Sequence, residues 1–111
     1  MVETENFPYT IKDLQKICHT NKILWKNHAT TRMLQRGIKR SEIIETILNG
    51  EIIEEYMYDK PFPSCLVFGY TVNSRPIHVV CSIDNEYLYI ITAYIPDTIK
   101  WEKDLKTRKE L

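Results

Sequence analysis

CLVFGYTV (Cys65–Val72), IHVVCSI (Ile77–Ile83) and YLYIITAYI (Tyr87–Ile95) follow one another with only Asn73-Ser74-Arg75-Pro76 and Asp84-Asn85-Glu86 between them. β-Branched and aromatic side chains dominate all three runs and turn formers separate them, which predicts an antiparallel meander. Ile52, Ile53 and Tyr56 add a strand in front, for about four in all, while Met57 to Ser64, with Pro61 and Pro63, reads as an irregular loop. The last run is apolar on both faces: Tyr87, Tyr89, Ile91 and Ala93 point one way, Leu88, Ile90, Thr92 and Tyr94 the other. A strand covered on both faces belongs inside a sheet. Pro96-Asp97 closes it, and Trp101 to Leu111 reads as a loosely attached polar helix within a tail spanning 98–111.

Upstream of Glu51 the period is helical. Thr10 caps a first helix running to about His19, with Ile11, Leu14, Ile17 and Cys18 on one side and Asp13 completing a capping box. Ile23 to Lys26 reads as a short extended piece. Asn27 then caps a second helix that turns Met33, Leu34 and Ile38 to the sheet and ends at a left-handed Gly37. Ser41 opens a third, burying Ile43, Ile44, Ile47 and Leu48 and stopping at Asn49-Gly50. Helices followed by consecutive strands imply an α+β domain, helices on one sheet face.

At 111 residues, 43% apolar and 27% charged, the chain suits one soluble domain over 1–111, and no apolar run approaches membrane-spanning length. Met1 to Pro8 is acidic and lacks the regions of a signal peptide, which points to the cytoplasm. Cys18, Cys65 and Cys81 are odd in number and widely spaced, as reduced thiols are. The net charge is zero, yet residues 12–40 hold eight Lys and Arg against Asp13 alone, and residues 41–59 hold six Asp and Glu with no Lys or Arg. The neutral total argues against indiscriminate coating of nucleic acid; the polarity allows one face to attract a polyanion, or the two blocks to pair with each other.

Within the basic block His28, Arg32 and Arg36 recur every four residues and form one stripe on a helix, with Lys26 and Arg40 flanking it. Like charges at i and i+4 weaken a helix by a few tenths of a kcal/mol. The stripe is therefore either a solvated face or a seat for an anion such as an RNA phosphate. His78 is the chemically distinctive residue of the strands. A three-residue Asp84-Asn85-Glu86 turn sets it opposite Thr92 with Tyr94 beside it; a turn one residue longer or shorter sends both to the other face. His28 or His78 can act as a proton carrier, Thr92 and Tyr94 as partners, and the arginines as phosphate ligands, a set suited to RNA cleavage without metal. Each also has a purely structural reading, as a core histidine or an ordinary strand residue. The histidines and thiols lack metal-ligand spacing, and no nucleotide-binding loop is present, so neither metal nor cofactor is expected.

His28-x3-Arg32-Met33-x2-Arg36-Gly37-Ile38, Ile43-Ile44, Asn49-Gly50-Glu51-Ile52-Ile53, Pro76-Ile77-His78-Val79-Val80 and Ile91-Thr92-Ala93-Tyr94-Ile95-Pro96-Asp97 together resemble a domain-of-unknown-function family, number 4258, over roughly residues 22–103. Members of that family often lie beside genes for zinc-finger antitoxins of the MqsA type, and their order of helices then strands is similar to RelE-like and MqsR-like ribonuclease toxins. The resemblance implies a RelE-like fold and a type II toxin that cuts messenger RNA. It implies an MqsA-type antitoxin as partner and marks His28, Arg32, Arg36, His78, Thr92 and Tyr94 as site candidates. The alternative is a non-catalytic module that binds protein or nucleic acid.

Overall fold

The change of period at Glu51 divides the molecule as the sequence predicts. In the computed structural model, which describes residues 6–110, helix α1 (Ile11–Ile17), strand β1 (Ile23–Trp25) and helices α2 (Asn27–Arg36) and α3 (Arg40–Leu48) come first. Strands β2 (Glu51–Tyr56), β3 (Ser64–Tyr70), β4 (Pro76–Asp84) and β5 (Tyr87–Tyr94) follow. Met1 to Glu5, the first five residues of the stretch from which no signal peptide is expected, and Leu111 lie outside the described residues. No described helix is long and apolar enough to cross a membrane.

The strands form one sheet in the order β1-β5-β4-β3-β2. It therefore has five strands rather than about four, and it is mixed: Ile23, Leu24 and Trp25 pair in parallel with Leu88, Tyr89 and Ile90. Three residues are too few to display a period of two, so the sequence shows only an extended piece there. The helices cover one face. Leu14, Ala29, Met33, Ile38, Ile43 and Ile47 pack on Cys65, Val67, Ile77, Val79, Cys81, Leu88, Ile90 and Ala93.

Local signals account for most boundaries. Thr10 and Asp13 form the expected capping box on α1, and Gly37 ends α2 with φ 65°. Lys26, not Asn27, occupies the cap position of α2, without a side-chain bond. Lys39 precedes α3, its N–H donating to the Glu42 carboxylate at 2.9 Å, so the helix begins at Arg40, one residue before Ser41. Leu34 is 78% exposed rather than turned to the sheet, because α2 buries only the narrow i, i+4 line of Ala29 and Met33.

Two close approaches lock α3 onto the sheet. A Cβ added at Gly50 or at Gly69 would stand 2.3 Å from the Thr46 carbonyl oxygen, so the helix backbone itself fills the space. Gly69→Ala is expected to destabilise the fold by about 1–3 kcal/mol through overpacking against backbone that cannot rotate aside. An unchanged urea midpoint would contradict this. All three cysteines are free; Cys65 and Cys81 face each other across β3 and β4 with sulfurs 3.9 Å apart.

Two irregularities decide which way β5 faces. Asp84 pairs with Tyr87 across a two-residue Asn85-Glu86 turn, with Asn85 at φ 56°, so the turn is one residue shorter than the sequence suggests. The register then shifts once more, because Ile91 bulges between Ile90 and Thr92. The two shifts restore parity. His78 pairs with Tyr94 rather than Thr92, which stands opposite Val80, and all three share the face turned away from the helices. Ala93, in turn, joins Leu88 and Ile90 in the core, breaking the simple alternation along β5.

That second face is covered too, which is why β5 reads as apolar on both sides. Phe62, from the loop carrying the cis Lys60–Pro61 bond, stacks on Tyr89. The tail from Asp97 covers the other end, and it is neither helical nor loosely attached. Trp101 is 2% exposed and bridges Arg108. Asp97 and Asp104 carboxylates accept the N–H groups of Ile99, Lys106 and Thr107, side-chain bonds that favour turns over helix. Strand β2 clamps the tail through Glu51–Lys106 at 3.2 Å and Glu54–Arg108 at 2.7 Å.

Candidate active site

His78 is fully buried between β3, β5 and the tail. Its ring meets Phe68, Tyr94 and Trp101 edge to face, with centroids 5.4, 5.2 and 4.6 Å away. Nε2 lies 2.7 Å from the Leu105 carbonyl oxygen and Nδ1 lies 3.1 Å from the Tyr94 hydroxyl. A carbonyl only accepts, so Nε2 carries the proton, and in the neutral ring Nδ1 must accept the phenolic hydrogen. The tautomer is thus set by Leu105, held at φ 60°, a left-handed conformation unusual for a bulky residue.

Burial holds the His78 imidazole below its ordinary 6.5, with the Leu105 bond and Glu54 opposing. The unfolded chain takes up this proton near pH 6.5 and the folded chain only at lower pH, so stability falls as pH drops. The melting temperature is expected to decline from pH 7 to pH 5, above the carboxylate range, and to decline less in His78→Gln. An equal decline in both proteins would contradict the assignment of a neutral buried ring.

Tyr94 separates His78 from an open cleft of about 580 Å³ whose lining includes Arg36, Lys100, Trp101 and Arg108. Burial raises the phenol above its ordinary value while Arg108 and Arg36 pull it down, so it stays protonated at neutral pH. Arg36 Nη1 donates to the Ala93 carbonyl at 2.7 Å, which fixes the guanidinium beside the end of β5. Arg108 binds Glu54 through two nitrogens, at 2.7 and 3.1 Å, and lies 4.7 Å from the Trp101 centroid. Burial raises the Glu54 carboxyl, but the Arg108 and Tyr56 bonds outweigh it and hold the group below the usual range. Arg36 and Lys100 form no salt bridge among the described residues and face the cleft with Asp97.

The sequence candidates thus divide between two places. Tyr94 and Arg36 line this cleft, with His78 buried behind Tyr94 and Thr92 next along the same face of β5. Lys26 and His28 line a different cleft near Phe62 and Tyr89. Arg32 lies between, its Nε 3.4 Å from His28 Nε2. Arg40 stacks over Trp25 at 4.9 Å. Among the described residues no ion pair joins the basic block to the acidic one. Lys22 pairs with Glu86, whereas Glu42, Glu51 and Glu54 take Arg75, Lys106 and Arg108. Lys100, Trp101, Leu105 and Arg108 are absent from the sequence candidates. A tryptophan inside a polar tail was the available sign that the segment docks. Among the described residues no group of three His, Cys, Asp or Glu side chains could hold a metal ion.

The chain matches no curated protein and no solved structure. A family model does match, over residues 25–95, from the end of β1 through β5, and that span carries His78, Tyr94 and the whole basic stripe. The chain belongs to the family described as a domain of unknown function, DUF4258.

Proposed function

We propose that the protein is an RNA-directed toxin of a type II toxin-antitoxin pair, an endoribonuclease that moves protons with side chains alone. The observation that carries this reading is the relay from Tyr94 through His78 to the Leu105 carbonyl, opening on a cleft with Arg36 and Lys100 at its rim. The 2′-hydroxyl of a bound strand gives its proton to the Tyr94 oxygen as the phenol passes its own to His78 Nδ1. The 2′-oxygen then bonds to the adjacent phosphorus, and the bond to the 5′-oxygen breaks. That oxygen takes a proton from solvent, and His78 returns the proton it gained to solvent through Tyr94, leaving a 2′,3′-cyclic phosphate and a 5′-hydroxyl. Arg36 and Lys100 face the charge that grows on the phosphoryl oxygens. The order of helices before antiparallel strands supports a RelE-like or MqsR-like grouping, with an MqsA-type zinc-finger antitoxin as partner.

Cleavage of a labelled messenger RNA by the wild-type protein in EDTA, with and without ribosomes, tests the reading. Products ending in cyclic phosphate are expected, and Arg36→Ala should weaken RNA binding by about 10-fold, as losing one charge-assisted contact does. No product in either condition would leave only a non-catalytic binding module.

A further inference from the structure

A second cleft, of about 420 Å³, lies on the same sheet face toward the other end of β5 and takes no part in the relay. Its floor is a row across three strands, with Ser64 opposite Ser82 and Ser82 opposite Tyr89. Phe62 forms one wall. Its ring is within 25° of parallel to Tyr89, with centroids 6.4 Å apart, a loose stack that a small outward shift of the loop would open. The Lys26 ammonium lies 4.9 Å from the Tyr89 centroid, and His28 lines the cleft beside it. The Asp59 carboxylate also lines the cleft and accepts the Ser64 hydroxyl. Flat aromatic faces, a hydroxyl and a carboxylate at their edge and the Lys26 ammonium at the rim match the three parts of an unpaired nucleotide: a π-face, a hydrogen-bonding edge and a phosphate. A paired base could not enter, since its faces are already stacked.

Helix α2 joins the two clefts. His28 stands at one and Arg36 at the other, eight residues or about 12 Å apart along the helix axis, with Arg32 between. The stripe therefore runs beside the sheet as a track for a strand backbone. Resting on the reading of the Tyr94 cleft as the cleavage site, we infer that the Phe62–Tyr89 cleft is a subsite for one unpaired base of the same RNA strand. Phe62 and Tyr89 stack on this base, Ser82 and the Asp59 carboxylate that Ser64 holds read its edge, and its phosphates follow Lys26 and Arg32 toward Arg36.

The test compares fluorescein-labelled hexauridylate and hexaadenylate with an abasic oligomer of equal length, by fluorescence anisotropy on the full chain. Wild type should bind the better base-bearing hexamer at least 5-fold more tightly than the abasic one. Phe62→Ala and Tyr89→Ala should each cost about 5- to 150-fold in that affinity, as removal of one stacking face does, and erase the advantage over the abasic oligomer. Tyr58→Ala, in the same loop but 81% exposed, should change neither. Should Tyr89→Ala fail to fold, Phe62→Ala and chemical shifts at Ser82 and Tyr89 in wild type titrated with uridine and adenosine monophosphates decide the matter. Equal affinity for abasic and base-bearing oligomers, or no binding to any, overturns the subsite. Base-dependent binding without cleavage leaves the subsite standing and removes the ribonuclease reading. Cleavage without base-dependent binding does the reverse.

Discussion

Tyr94→Phe is expected to lower the rate of RNA cleavage by about two to four orders of magnitude while leaving RNA affinity nearly unchanged. The substitution removes one oxygen and keeps the ring, so the edge-to-face contact with His78 and the cleft wall survive. It breaks the path between substrate and imidazole, because His78 is fully buried and reaches the cleft through this hydroxyl at 3.1 Å. His78→Gln should show a comparable loss of rate. Single-turnover rates at saturating protein separate this from weakened binding. A Phe variant with wild-type turnover would remove Tyr94 from the chemistry and leave the cleft as a binding surface alone.

Trp101→Ala should be the most damaging single change to the fold, costing about 3–5 kcal/mol, the range for deleting a large buried aromatic. The indole is 2% exposed, packs on the His78 ring and lies under the Arg108 guanidinium. Its loss leaves a cavity against β4 and frees the tail that carries the Leu105 carbonyl. A urea titration followed by far-ultraviolet dichroism measures the cost, and a midpoint within error of wild type would show that the tail contributes nothing to stability. RNA cleavage should fall as well, since His78 would lose the acceptor that sets its tautomer.

The helices and the run of antiparallel strands were legible because each carries its own period, its own caps and its own turn residues. Gly37 and the Thr10-Asp13 pair announce helix ends through chemistry that is local to them. The parallel strand β1 was not legible, since three residues hold no period and its partner lies more than sixty positions away. Two of the site candidates, His78 and Tyr94, were placed together by counting along β4 and β5. The turn is one residue shorter than three and Ile91 bulges, and these two displacements cancel in parity. The division of the basic stripe between two clefts depends on how α2 crosses the end of β5, a tertiary fact without a sequence period. Leu105 and Arg108 stayed hidden for a further reason: a polar tail folded by Asp-capped turns looks in sequence like any solvated end.

Translation gives the docked tail a timing consequence. Residues 51–94 leave the ribosome first, and at roughly 5–20 residues per second the segment from Asp97 to Arg108 follows within about one to three seconds. Until Leu105 arrives, the His78 ring has no fixed tautomer and its aromatic lid is missing. A chain that has closed its sheet without that segment thus still lacks an ordered His78. On the ribonuclease reading proposed above, the relay becomes complete only when the segment from Asp97 to Arg108 has folded down onto the sheet.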